Sequence, residues 1–159
     1  MKLKTLLFFT IIFSSNNIIS QTLEETIKFI ETKYPIYQSS TLKSNIKIDF
    51  YGNIEINNEI EGNSEISKTT FNINDVKLFQ TIVKYDPEYL SARYILNIEC
   101  NNQKNCINVT NILGISNVNG HTATDNFRGK IELAKILKAL NHLSKLEKEE
   151  QAKNDPFGN

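Results

Sequence analysis

The C-terminal segment of this chain, from Lys130 to about Glu149, constrains the fold more than any other stretch of the sequence. Its apolar residues recur at the i, i+3, i+4 and i+7 spacing of an amphipathic helix. They are Leu133, Ile136, Leu137, Leu140 and Leu143. A helix of about twenty residues is roughly 30 Å long, and its apolar stripe needs a surface to cover. Because most of the preceding sequence has strand character, we expect this helix to pack on a sheet.

The first twenty residues, 1–20, have the features of a secretory signal peptide. Lys2 and Lys4 form a positively charged start, an apolar run follows at residues 6–13, and the small residue Ser20 stands at the expected cleavage site. The apolar run is shorter than the roughly 20 residues that span a bilayer, so no membrane span is predicted. We expect cleavage after Ser20 and export to the periplasm or beyond.

Length and charge predict a single domain, residues 21–150, followed by a flexible charged tail, residues 151–159. Loss of the signal peptide removes two of the 18 basic residues and none of the 18 acidic ones, which leaves a small negative charge. The chain contains only two arginines, Arg93 and Arg128. With so few arginines and no excess of basic over acidic residues, the sequence predicts no basic surface for nucleic acid and no strongly basic patch for an anionic membrane.

Local patterns place the helices and strands of this domain. A helix is predicted at residues 21–33, where Thr22 and Glu25 fit a capping box and Pro35 is expected to end the helix. Alternating apolar and polar residues then indicate about seven strands. We expect segment 64–73, which is rich in Ser and Thr, to be an edge strand. The approximate strand ranges are 46–50, 54–60, 64–73, 76–85, 89–100, 106–115 and 122–128.

The order of these elements predicts the fold class. Because strands never alternate with helices, a parallel βαβ sheet is unsupported. We expect an α+β fold in which an N-terminal helix precedes about seven antiparallel strands, which form a curved sheet or small open barrel capped by the C-terminal helix. Aromatic side chains at strand positions are expected to fill the core rather than to form a ligand platform. They are Phe50, Tyr51, Phe71, Phe79, Tyr85 and Tyr94.

The two cysteines, Cys100 and Cys106, are separated by a short polar loop. In an exported chain such a pair predicts a structural disulfide, whereas redox catalysis favours a C-x-x-C spacing. We expect the strand that ends at Cys100 to pair antiparallel with the strand that follows Cys106. If the cysteines lie opposite each other, Ile98 faces Asn108, so a bulge or an offset register is expected near the loop.

Catalytic and metal-binding motifs are not evident. His121 and Asp125 could serve a hydrolase with a serine from elsewhere, but the chain has no G-x-S-x-G elbow, and solvated turn residues are the simpler interpretation. The second histidine, His142, lies far from His121 in the sequence, and no H-E-x-x-H or cysteine cluster is present. Acidic and amide residues near Gly62 lack the spacing of a calcium loop. We therefore predict no metal site and no cofactor.

Five features of the chain, taken together, are the basis of a resemblance to known proteins. They are Ser20-Gln21 at the signal-peptide end, the strand YILNIEC, the loop NNQKN, the returning CINV, and the helix with Ala134, Ala139, Leu140 and Leu143. Together they resemble small uncharacterised exported proteins of the Bacteroidota. The resemblance covers roughly residues 45–147 and implies a pleckstrin-homology-like barrel, with seven antiparallel strands closed at one end by a C-terminal helix. It implies no catalytic residue, and fold analogy alone assigns no function.

These features predict an exported, non-catalytic binding or interaction module. A protein or peptide partner that docks on an exposed strand edge is the favoured interpretation. The alternative is a periplasmic carrier of a small apolar ligand, in which the C-terminal helix covers a cavity beneath Leu133, Leu137 and Leu140. A hydrolase built on His121 and Asp125 has the least support.

Overall fold

The computed structural model describes residues 22–38, 42–60, 65–86, 91–102, 105–111, 116–120 and 122–154. The predicted signal peptide and residues 155–159 lie outside these ranges. The helices are α1 (Leu23–Tyr37) and α2 (Lys130–Asn154). The strands are β1 (Leu42–Ile48), β2 (Asn53–Ile60), β3 (Glu65–Asn72), β4 (Val76–Asp86), β5 (Ser91–Cys100), β6 (Ile107–Asn111), β7 (Ser116–Gly120) and β8 (Thr122–Phe127).

This element order confirms the predicted α+β class, with an N-terminal helix, antiparallel strands and a long C-terminal helix. The described strands form two antiparallel sheets, one in the order β1-β2-β3-β6-β7 and the other in the order β4-β5-β8. Neither sheet closes into a barrel. The segment predicted to be an edge strand, β3, lies inside the five-stranded sheet. Thr69 of β3 pairs with Ile56 on one side and Val109 on the other, as suits its β-branched side chain.

The strands that flank the cysteine loop do not pair, so the predicted antiparallel pairing of β5 with β6 was wrong. β5 pairs with β4 and β8, whereas β6 pairs with β3 and β7. The predicted mismatch, in which pairing of the two strands would place apolar Ile98 opposite polar Asn108, therefore does not arise. Ile98 faces Leu78 and Ala123, and Asn108 faces Thr70 and Asn119, so no bulge is needed near the loop.

A single hydrophobic core joins the two sheets and the two helices. The predicted apolar stripe of α2 supplies Leu133, Ile136, Leu140 and Leu143, which are all buried, and Leu137 packs against the same core. Burying one such side chain contributes about 1.5–3 kcal/mol, so the stripe holds α2 on the sheets. The strands contribute Ile46, Ile48, Ile54, Ile56, Phe71, Val76, Leu96, Ile98, Cys100, Ile107 and Phe127.

Helix α1 begins as predicted but does not end at Pro35. Thr22 and Glu25 form the capping box, with each side chain accepting from the other residue's backbone N–H. The helix then continues through Pro35 to Tyr37, although a proline removes one helical hydrogen bond. Tyr34 is fully buried, and its ring packs edge-on against Phe127 at 5.3 Å between centroids. This packing of the last turn offsets the lost bond.

The turn between β1 and β2 places two aromatic side chains outside the core. Gly52 adopts φ +73°, a conformation that favours glycine, and its N–H donates to the Asp49 carbonyl. Phe50 and Tyr51 lie in this turn rather than on a strand and are 66% and 74% exposed. The prediction that these two aromatics fill the core was therefore wrong.

Candidate functional site

Among the residues that the structure describes, two surfaces could hold a ligand. The first is an open groove of about 550 Å³ on the outer face of the five-stranded sheet, which we call the sheet groove. Its centre is a row of four residues in register across β1, β2, β3 and β6. These residues are Lys47, Glu55, Thr70 and Asn108. The neighbouring strand positions point inward, so this row faces solvent.

One end of the sheet groove is built by a hydrogen-bonded set of polar residues. The Asp49 carboxylate accepts from the backbone N–H groups of Tyr51 and Asn53 and from the Asn53 amide. The Asn72 amide donates to the Asn53 side-chain oxygen at 2.9 Å. Partial burial would raise the pKa of Asp49, but these donated hydrogen bonds from Asn53 and Tyr51 prevail and lower it below its usual value. This end of the groove is consequently preorganised and carries a charged carboxylate at neutral pH.

Glu55, in the middle of the sheet groove, forms an ion pair with Lys68 of β3. The Lys68 ammonium lies 2.5 Å from a Glu55 carboxylate oxygen, and the Asn57 amide donates to the other oxygen at 2.9 Å. The hydrogen bond from Lys68 is the main cause that lowers the pKa of Glu55. The polar groups of Lys47, Thr70 and Asn108 take no hydrogen bond from the part of the chain that the structure describes. These three polar side chains, with Glu55 between Lys47 and Thr70 in the row, therefore remain available to a ligand.

The second surface is the edge of the three-stranded sheet that β4 forms, and no other described strand covers this edge. Four consecutive residues, from Phe79 to Ile82, are exposed. Among the described strands β4 pairs with β5 alone. Phe79 and Ile82 are each 37% exposed and point to opposite faces of the sheet. An edge strand with exposed apolar side chains is a template for pairing with another chain.

The candidate catalytic residue Asp125 lies in a polar cluster that connects α1 to β8. Its carboxylate accepts from the Tyr34 hydroxyl at 2.6 Å and from the Gln38 amide through the same oxygen. The other oxygen accepts from the backbone N–H of Asn126. Burial raises the pKa of Asp125, although these three hydrogen bonds oppose the shift. Asp125 thus anchors the end of α1, while His121 lies outside the described residues.

The Arg128 side chain reinforces this anchor. Its guanidinium donates to the Gln38 carbonyl at 2.7 Å, and its backbone N–H donates to the Tyr37 carbonyl. Gln38 also forms a β-bridge with Phe127. Both Asp125 carboxylate oxygens therefore have structural partners, whereas the buried side-chain oxygens of Gln38 and Asn126 have no hydrogen-bond partner among the described residues. None of these contacts places a nucleophile beside the carboxylate.

The side chains beneath α2, where a carrier would need a cavity, belong to the packed core. Leu133 and Leu140 are buried in the same cluster as Leu96 and Ile98 of β5. Cys100 and Cys106 form a disulfide at the border between the two sheets, with their Cα atoms 5.8 Å apart. Cys106 also lines the sheet groove. Within the described ranges, no three His, Cys, Asp or Glu residues are placed to hold a metal ion.

Comparison with known proteins finds no matching family model, no similar curated protein and no similar solved structure. Of the helices that the structure describes, none is both long and apolar enough to cross a membrane. The sequence did not single out the sheet groove, because its residues come from four separate strands and look like ordinary solvent-facing positions. Only the strand register brings them into one row.

Proposed function

We propose that the chain is an exported, non-catalytic binding module that accepts an extended segment of a peptide or protein partner at the free edge of β4. One observation carries this proposal. Phe79 and Ile82 remain 37% exposed on opposite faces of an edge strand of 11 residues. Exposed apolar residues scattered singly need no explanation, but two on a strand edge that no described strand pairs with mark a surface for association.

The backbone of β4 supports strand addition. Because no described strand pairs with its outer side, alternate N–H and C=O groups along β4 point away from the sheet. An added strand would satisfy them with a ladder of hydrogen bonds, each worth about 0.5–1.5 kcal/mol net. Its alternate side chains would contact Phe79 on one face and Ile82 on the other, which provides specificity.

The charge beside this edge favours one kind of partner. Lys77 lies next to Phe79, with its ammonium nitrogen 5.9 Å from the ring centroid. A lysine on an edge strand opposes unselective strand pairing. The bound segment would therefore carry apolar residues at alternating positions and an acidic residue opposite Lys77, since like charges across a ladder are destabilising.

Two further features support export and the binding role. A disulfide is typical of proteins in oxidising compartments, and residues 1–20 have the pattern of a signal peptide. The relationship to pleckstrin-homology-like exported proteins is part of the same proposal, because folds of that type generally present a groove or loops to a partner. The packed core beneath Leu133 and Leu140 supports a binding module over a carrier of apolar ligands.

The experiment that tests the proposal selects peptides from a random library on the purified mature chain. We expect enrichment of segments with alternating apolar residues and an acidic residue. Hydrogen exchange on the complex with the most enriched peptide should show protection of amides in β4. Failure to enrich any peptide, or protection confined to elements other than β4, would contradict the proposal.

A matched pair of variants locates the site. Phe79→Lys combined with Ile82→Lys places charge on the edge and should weaken binding of the selected peptide at least tenfold. The control is Ile131→Lys, which replaces an apolar residue on α2 that is 66% exposed and should leave binding unchanged. Equal loss in both variants would show that the effect is not specific to the edge of β4.

A further inference from the structure

We infer that the sheet groove is a second binding site, separate from the edge of β4, and that it takes a neutral saccharide. The groove is an open concavity of about 550 Å³, within the range of small-molecule sites. It lies on the five-stranded sheet, whereas β4 belongs to the other sheet. The inference therefore does not depend on the proposed peptide-binding function.

The hydrogen-bonding groups in the groove suit a ligand with many hydroxyls. Lys47 offers donors only, Thr70 offers a hydroxyl, and Asn108 offers both a donor pair and an acceptor. Their side chains make no hydrogen bond within the described chain. Glu55 lies between Lys47 and Thr70 in the row, whereas Thr70 and Asn108 stand in register on neighbouring strands. Such strands are about 4.8 Å apart, a spacing comparable to the width of a sugar ring. Each hydroxyl of a sugar can both donate and accept, so it can meet this mixture of groups.

The charges around the groove argue against an ionic ligand. Asp49 and Glu55 supply two carboxylates, and Lys47 and Lys68 supply two ammonium groups that interact with Glu55. The local charges cancel, and one pair is already in direct contact at 2.5 Å. A phosphate or a metal ion would meet opposing charges of both signs, whereas a neutral polar ligand would not.

The strand topology argues against an extended peptide in the groove. The groove is centred on β2 and β3, which each pair with a strand on both sides. Their backbone groups are already used within the sheet, so a peptide could not add as a further strand there. The ligand must be recognised by side chains that project from the face of the sheet.

Two exposed aromatic residues lie in the turn at one end of the groove. Phe50 and Tyr51 lie in the β1–β2 turn, between the groove residues Asp49 and Asn53. The Asn72 amide donates to the Tyr51 carbonyl at 2.9 Å, which attaches the turn to the groove wall. An aromatic face provides a rigid apolar surface that the C–H face of a sugar ring can cover. Polar groups on the sheet face and exposed aromatic residues in the adjoining turn together suit a saccharide.

The test titrates the mature chain with maltotriose, cellotriose, mannotriose and chitotriose by calorimetry and by saturation-transfer NMR. We expect binding of at least one of these neutral trisaccharides. Thr70→Val combined with Asn108→Ala should weaken that binding at least tenfold. The control Thr124→Val changes an exposed threonine on the outer face of the other sheet and should have no effect. Tyr51→Ala supplies a second test, since this exposed turn residue can be replaced without disturbing the sheet.

Three results would overturn the inference. They are absence of binding by all four trisaccharides, unchanged affinity in both groove variants, and displacement of the bound sugar by inorganic phosphate. The β4 edge variant Phe79→Lys with Ile82→Lys should keep its saccharide affinity while losing the selected peptide. Loss of both ligands in that variant would contradict the assignment of two separate sites.

Discussion

Cys100 and Cys106 are joined by a disulfide although they belong to different sheets. Cys100 is the last residue of β5 in the three-stranded sheet, and Cys106 immediately precedes β6 in the five-stranded sheet. Because β5 and β6 share no backbone ladder, the bond links the two sheets directly. Cys106 also lines the sheet groove, so the same bond ties the wall of the groove to the other half of the molecule.

Removal of this bond should destabilise the fold moderately. The closed loop is short, and the chain-entropy estimate for such a loop is about 2 kcal/mol. We expect Cys100→Ala combined with Cys106→Ala to lower the free energy of unfolding by this amount in urea denaturation. Alanine is preferred to serine because Cys100 is buried, where an unpaired hydroxyl would add its own cost. An unchanged denaturation midpoint, or two free thiols in the exported protein, would contradict the prediction.

The sequence predicted which residues face inward better than it predicted which strands are neighbours. Along β5, the alternation places Leu96, Ile98 and Cys100 on the inner face, and all three are buried. A period of two identifies the buried face of a strand but carries no information about its partner. The pairing of β3 with β6 joins segments far apart in the chain, and it depends on how the whole core packs.

The same limit explains why the candidate surfaces were not both foreseen. An exposed strand edge was expected, but the sequence did not single out β4, since its alternation resembles that of the internal strands. The groove residues Lys47 and Thr70 have no local motif and meet only through register. Phe50 continues the alternation of Ile46 and Ile48 in the sequence, yet β1 ends at Ile48 and the turn begins. Local periodicity alone could not show where the strand stops.

Gly52→Ala should be strongly destabilising. A Cβ at Gly52 would lie 2.7 Å from Ile73 Cγ2 and 3.3 Å from Glu147 Cγ, and both of those residues are buried. The positive φ adds about 1–2 kcal/mol for any residue with a Cβ. We expect a total loss of about 2–4 kcal/mol in thermal or urea unfolding.

Gly129→Ala is the matched control for this prediction. There the added Cβ would meet the carboxylate end of Glu132 at 2.5 Å, and the end of a flexible side chain can move away. The loss at Gly129 should therefore be well below that at Gly52. Equal losses would show that the close approach of the turn to Ile73 and Glu147 is not what requires glycine.

Asp49→Ala should loosen the β1–β2 turn in a pH-dependent way. The substitution removes the acceptor for Tyr51 and Asn53 and should cost about 1 kcal/mol at neutral pH. The folded pKa of Asp49 is lowered, so its stabilising effect is present above the usual value of about 3.9 and is lost as pH falls through the folded value. The difference between wild type and variant should therefore shrink in acid. A difference that stays constant down to low pH would contradict this reasoning.

Tyr34→Phe should weaken the junction between α1 and β8. The Tyr34 hydroxyl donates to the Asp125 carboxylate at 2.6 Å in a partly buried site. Hydrogen bonds to charged groups contribute about 1.5–3 kcal/mol, so we expect a loss in that range by urea denaturation. Tyr37→Phe is the control, since no hydroxyl hydrogen bond of Tyr37 is found among the described residues. A cost for Tyr34→Phe no larger than the control would show that the bond to Asp125 contributes little.

Asp125→Asn should become increasingly stabilising, relative to wild type, as pH rises. Burial raises the folded pKa of Asp125, against the hydrogen bonds from Tyr34, Asn126 and Gln38. The folded state therefore favours the neutral acid. The stability that protonated Asp125 contributes is fully present below the usual pKa of about 3.9 and is lost as pH rises through the raised folded pKa. The asparagine side chain is neutral throughout and retains an oxygen that can accept from Tyr34. Unfolding free energies of both proteins across this pH window provide the measurement, and the other carboxylates cancel in the difference. Parallel stability curves would show that Asp125 titrates with an ordinary pKa in the fold.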